Sequence, residues 1–188
     1  MKKAKKEKIL KFAVALFLIL IGVSLRLIPH APNFAPIAAI ALFGGVYFSK
    51  KIALVLPVLA MLISDIFIGF YDFKMMVAVY GSFILCAAMG FWLKNHKKWH
   101  TVAGAAILSS VLFFIITNFA VWAFTPMYPK DFSGLILSYT LALPFFKNTL
   151  LGDLFYTATF FAVYEFVLSK NLLPKRVVLP SFVKLAKI

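Results

Sequence analysis

A chain of 188 residues that is 63% hydrophobic, with mean hydropathy +0.97, lies outside the range of soluble globular domains, so its formal charge of +14 needs a separate explanation. The basic residues flank apolar runs, with no interleaved aromatic stripe or nucleic-acid motif, which argues against nucleic acid and for anionic lipid headgroups as what they meet. Cys86 is the one cysteine and sits inside an apolar run, which excludes an intrachain disulfide and a cysteine-based metal cluster.

The first apolar run, 9–28, follows a basic tail over 1–8. It is about 20 residues long, and Arg26, Pro29 and His30 stand where a small-x-small cleavage site would be, which predicts a retained span rather than a signal peptide. The second run, 34–48, is short, with Pro36 in its first turn, so its helix is expected to begin near Asn33 or Phe34. The third, 52–71, contains Pro57, which should kink it or mark a late helix start. Runs 75–93, 101–124 and 148–168 complete six expected crossings, and a second basic tail covers 170–188. Segment 132–146, bounded by Pro129 and Pro144, is apolar but only about 15 residues long, so it is expected to be a short outer re-entrant or interfacial helix; a tilted seventh span is the alternative. The fold class expected is all-α integral membrane, one domain over 1–188, with short loops joining antiparallel neighbours.

Charge sets the expected orientation. Sixteen of the Lys and Arg residues lie at the N-terminus, at Lys50 and Lys51, at Lys94, Lys97 and Lys98, and in the C-terminal tail, against four in the other gaps, Arg26, Lys74, Lys130 and Lys147. The positive-inside rule then places both termini in the cytoplasm, in the inner membrane of the cell, and requires an even number of crossings.

That orientation gives each polar residue within the runs a depth. Asp65, Asn118, Asn148 and Asp153 fall in the outer half, and Arg26 and Asn33 edge the same level. An ionised carboxylate in hydrocarbon costs several kcal/mol unless paired or hydrated, so both aspartates should face inward. Thr149, Gly152, Asp153 and Tyr156 follow one helical face, as do Asn118 and Trp122. These residues predict an outward-open pocket lined by Asp65, Asn118, Trp122, Asn148, Asp153 and Tyr156, with Arg26 as counter-ion and Asn33 at its edge. The competing reading is that the same groups only pair with one another and hold the helices together. Glu165, near the other end of the sixth run, is expected to meet a lysine.

Small residues crowd the second run, where Ala35 and Ala39 have small-x-x-x-small spacing and could receive a partner helix or pack within the bundle. No Gly-x-Gly-Asp element, phosphate-cradling loop or helical histidine pair appears, so neither an intramembrane protease, an ATPase nor a metal or other cofactor is expected.

The stretch RLIPHAPNFAPIAAIALFGG from Arg26 to Gly45, Ser64-Asp65, Thr117-Asn118-Phe119-Ala120-Val121-Trp122, and PFFKNTLLGD from Pro144 to Asp153 resemble an uncharacterised family of small bacterial membrane proteins assigned to transport. The resemblance covers nearly the whole chain. That family more loosely resembles the substrate-binding S-components of energy-coupling-factor vitamin transporters. What this implies is six helices, cytoplasmic termini, an outward pocket, and docking of a transmembrane coupling protein, served by ATPases, through an Ala-x-x-x-Ala face. S-components carry that face on their first helix; here Ala35 and Ala39 lie on the second run. The expected function is a subunit that captures a small or vitamin-like solute and is energised by separate proteins. A stand-alone proton- or cation-coupled carrier, an aspartyl-type membrane enzyme and a structural membrane protein are the alternatives.

Overall fold

The computed structural model describes residues 2–169, with side chains from 9 to 167; the basic tail expected over 170–188 lies outside the described residues. Among the described residues the elements are six helices and no strand: α1 (Lys2–Leu27), α2 (Ile37–Tyr47), α3 (Lys50–Ile68), α4 (Phe73–Leu93), α5 (Trp99–Phe124) and α6 (Phe132–Ser169). Five of them are long and apolar enough to cross a bilayer, which makes the chain a multi-pass membrane protein. The exception is α2, whose 11 residues reach only about 17 Å at 1.5 Å per residue.

Two expected boundaries are corrected. The second helix begins at Ile37 rather than near Asn33, because Ala31–Phe34 forms a tight turn closed by the Phe34 N–H to Ala31 O bond at 3.0 Å, with Asn33 at φ 64°. Pro32 followed by a left-handed Asn33 is the residue order such a turn favours. Of the two outcomes expected at Pro57, the late start does not occur: α3 starts at Lys50 and contains the proline. Segment 132–146 is not a separate helix: it is the first part of the 38-residue α6, which continues through Pro144. A proline removes one backbone donor, whereas a break inside an apolar layer would expose several unsatisfied groups, so a continuous helix is the cheaper solution.

Short polar residues fix the connections at one end. Asp72 caps α4 by accepting from the N–H groups of Lys74 and Met75. Asp131 accepts from the Gly134 N–H at 2.7 Å and from the Ser133 hydroxyl at the start of α6, and these donors hold its carboxyl below the usual range. Along α6, Tyr139 donates to Ile115 O, Phe146 packs on Phe114 and Asp153 accepts from Ser110. Between Tyr139 and Phe146 the helix advances seven residues while its partner on α5 shifts by one, so α6 crosses α5 obliquely there and then descends beside it.

The short α2 is the axis of the bundle. It touches each of the other five helices, and Ile37 to Val46 are all buried. Lipid tails are as apolar as leucine, so close contact rather than water exclusion must hold helices together here, and the sequence supplies it with small residues. Gly45 of α2 faces Gly90 of α4 so closely that a Cβ on Gly45 would sit 2.4 Å from Ala87 O, and one on Gly90 2.6 Å from Leu42 O. Phe43 fills the next layer, its ring 5.1 Å from Tyr164 and 5.6 Å from Phe161. The crowding of alanine and glycine in 35–45 is thus spent inside the molecule. Of the two alanines expected to offer a partner-docking face, Ala39 has no exposed surface, and Ala35 is half-buried and lines a cavity.

Candidate functional site

Residues 29–36, between α1 and α2, do not form a helix and turn back into the bundle beside α6. Gly152 permits this approach, since a Cβ there would lie 3.3 Å from the Phe34 Cα. Asn148 Nδ2 donates to Pro32 O at 3.1 Å, and the Tyr156 ring packs on Phe34 at 5.4 Å. These contacts hold the segment against α6 one turn on either side of Gly152.

Behind it lies a cavity of about 280 Å³ bounded by α1 through Arg26, by Asn33, Ala35, Ile37 and Ala38, by Met61, Tyr71, Val79 and Phe83, and by Phe113, Thr149 and Asp153. A second cavity of about 240 Å³ adjoins it, sharing Asn33, Val79, Phe113 and Thr149 and adding Thr117 and Asn118. Non-helical backbone at this depth is tolerated where it lines such a space.

Asp65 does not line either cavity. It is wholly buried, its Oδ1 2.8 Å from Arg26 Nη2 and its Oδ2 accepting from the Tyr80 hydroxyl at 2.7 Å. Arg26 also donates to Ser64 Oγ and to Met61 O at 3.3 Å, while Ser64 Oγ returns a bond to Ala60 O. Buried carboxylate and guanidinium therefore neutralise each other as an ion pair, although Asp65 Oδ1 accepts no well-aligned hydrogen bond, and Arg26 also lines the cavity wall. Tyr71, in the α3–α4 connection, is pushed up to about 12 by burial and by the neighbouring Asp65, with Arg26 pulling the other way, so it stays a neutral phenol facing the cavity.

Asp153 is held differently. It is 3% exposed, lines the cavity, and its Oδ2 accepts from Ser110 Oγ at 2.7 Å. Among the described acidic side chains, Asp65 and Glu165 pair with cations and Asp72 and Asp131 cap helices; Asp153 has a hydroxyl donor but no cation.

The remaining expected site residues divide. Arg26 and Asn33 line the first cavity with Asp153, and Asn118 lines the second while its Nδ2 donates to Phe114 O of its own helix at 2.8 Å. Trp122 points away, its Nε1 donating to Pro129 O at 2.9 Å to tie down the α5–α6 connection. Asn148 and Tyr156 brace the 29–36 segment and do not line the cavities. Sequence reasoning missed Tyr71, Tyr80, Ser110 and Phe113. Ser110 had a legible signal, because it precedes Thr117 by seven residues and so shares its helical face. At the far end Glu165 does meet a lysine: it pairs with Lys97 and accepts from the Tyr47 hydroxyl.

Among the described residues no three metal-ligating side chains cluster. Compared with known proteins, residues 6–177 match a described family of unknown function, DUF6580. No curated protein and no solved structure matches the chain.

Proposed function

The chain belongs to the DUF6580 family of unknown function, and from its cavity we propose that it is a membrane solute-binding subunit of a transport system. In this reading it crosses the cell membrane six times, α2 and the 29–36 segment together making one crossing. Both termini lie in the cytoplasm and the cavity opens outward. Charge supports that orientation: Lys50, Lys51, Lys94, Lys97 and Lys98 lie at the end opposite Arg26 and Lys74.

The observation that carries the proposal is Asp153, a carboxylate buried at the wall of a cavity with no cation paired to it among the described residues. A buried acid with only a structural task would be expected to have its partner beside it, as Asp65 has. An aspartyl enzyme is less well supported, because a catalytic dyad needs two carboxylates sharing a proton, and Asp65 is already held by Arg26 and Tyr80. With no nucleotide-binding loop in the sequence, energy for uptake would come from separate proteins, docking on a surface that does not include the buried Ala39.

The test uses the full chain in lipid nanodiscs, screened by thermal unfolding against fractions of a polar metabolite extract. One fraction should raise the unfolding temperature, and Asp153→Asn should lose that increase while remaining folded. If every fraction leaves the midpoint unmoved, or the variant responds like the native chain, solute capture at this cavity is wrong. Uptake into liposomes holding only this protein would instead favour a stand-alone carrier.

A further inference from the structure

Two walls of the cavity carry opposite electrical character. One is built by Arg26 and the start of α2, where Pro36 gives no side-chain cap and the first helical bond runs from the Ile40 N–H to Pro36 O at 2.9 Å. The N–H groups of Ile37, Ala38 and Ala39 are thereby left at an open helix end, and Ile37 and Ala38 line the cavity. Such an end holds about half a positive charge and favours an anionic group. Arg26 adds donors to the same wall: its hydrogen bonds to Met61 and Ser64 engage two of the five guanidinium N–H groups, and its Nη2 lies 2.8 Å from Asp65 Oδ1 as an ion pair. The other wall is α6, with the Asp153 carboxylate.

The charges nearly cancel. Arg26 and Asp65 neutralise each other, which leaves the helix end against Asp153, two opposite partial demands held apart in one space. A simple anion would meet Asp153 and a simple cation would meet the helix end. Between them stand Val79, Phe83 and Phe113, which offer an apolar surface. The volume of about 280 Å³ is at or below the small end for ligand pockets.

We propose that this cavity binds a small zwitterion of amino-acid size, its ammonium on Asp153, its carboxylate on Arg26 and the α2 N-terminus, and its apolar body against Phe83 and Phe113. This rests on the solute-binding reading above and names the class of solute.

The test keeps the body constant and removes one charge at a time. Alanine, leucine and phenylalanine, each with its C-terminal amide and its N-acetyl derivative, are titrated into the nanodisc-embedded full chain by calorimetry. A free amino acid that fits should bind at least about tenfold tighter than both its amide and its N-acetyl form, each having lost a charge-assisted contact. In Asp153→Asn that amino acid and its N-acetyl form should bind equally. An amide or N-acetyl compound binding as tightly as its parent, or none of the nine binding, overturns the zwitterion proposal. Failure of the broader reading is recognised separately: Thr149→Cys in a Cys86→Ala background is probed with a small neutral thiol reagent. Where the titration has overturned the zwitterion, a thiol that reacts at position 149 together with a stabilising extract fraction keeps solute binding, whereas an unreactive thiol and no stabilising fraction discard both.

Discussion

The two ends of the bundle use one chemical device and put it to different ends. At one end Arg26, Asp65 and Tyr80 join cation, carboxylate and phenol; at the other Lys97, Glu165 and Tyr47 do the same, with the Lys97 ammonium also 5.0 Å from the Tyr47 ring centre. Near Lys97 the rings of Phe43, Phe161 and Tyr164 pack on one another, and Lys97 and Glu165 also edge a cavity of about 460 Å³ whose other walls are mainly apolar, Val102, Ala106, Leu154 and Phe161 among them. The smaller cavity beside Arg26 holds a further carboxylate, Asp153, beyond the one paired with the cation. A buried ion pair is thus structural at both ends, and what distinguishes the Arg26 end is the charge left over. The trios also differ in exposure: the Asp65 side chain is 1% exposed, whereas that of Glu165 is 22% exposed and can turn its charge toward the interface.

Breaking the two pairs should therefore cost unequal amounts. Arg26→Met strands a fully buried Asp65 with only Tyr80 for company, and is expected to destabilise by about 3–5 kcal/mol. The double variant Arg26→Met with Asp65→Leu should recover most of that loss, since no buried charge remains. Lys97→Met should cost less, about 1–2 kcal/mol, because Glu165 keeps the Tyr47 hydroxyl and reaches solvent. Thermal unfolding in detergent ranks the three, and equal losses for Arg26→Met and Lys97→Met would erase the distinction drawn between the ends.

Packing gives the next contrast. Gly90→Ala places a Cβ 2.6 Å from Leu42 O and 2.8 Å from the Gly45 Cα, both backbone atoms that cannot swing aside, so α2 and α4 must separate at a cost of about 1–3 kcal/mol. Gly81→Ala and Gly104→Ala meet nothing within 4 Å on the same kind of helix, and should stabilise by up to about 1 kcal/mol through helix propensity. Opposite signs of the shift in unfolding temperature are the expected result. Removing one phenol, Tyr80→Phe or Tyr47→Phe, should cost about 1.5 kcal/mol each, the low end for one hydrogen bond to a charged group, since each carboxylate keeps its cation.

Much of this was legible from hydropathy and charge, because α3, α4 and α5 are each one largely apolar run ended by a turn or a cap. The presence of Asp65, Asp153, Arg26 and Asn33 at one level was legible for the same reason: position along a helix gives depth. Their partners were not. Whether Asp65 turned to Arg26 or to Asp153 depends on helix rotation, which small-residue contacts such as Gly45 with Gly90 decide and which no single helix reveals. The short α2 was masked because 34–36 are as apolar as the helix that follows, and the break is made by the Pro32-Asn33 turn instead. Segment 132–146 misled through Pro144, which reads as a boundary and acts as a single missing donor. Polar residues that only brace, such as Trp122, Asn148 and Tyr156, share helical faces with those that line the cavity, and periodicity does not separate them.

The smallest change in stability belongs to the residue most important to the site. Asp153→Asn keeps an oxygen for the Ser110 hydroxyl and replaces a carboxylate with no cation by a neutral amide of nearly the same shape. The unliganded protein should therefore unfold within about 0.5 kcal/mol of the native chain, or be slightly more stable, as expected where a substitution leaves packing and pairing intact. Asp65→Asn offers the control, because it removes the charge that Arg26 needs and should be clearly destabilising with no direct change to the cavity lining. A carboxylate whose removal costs the fold nothing and costs ligand binding everything would be one retained for the solute. If Asp153→Asn instead loses as much stability as Asp65→Asn, Asp153 has a structural partner and the contrast between the two ends disappears.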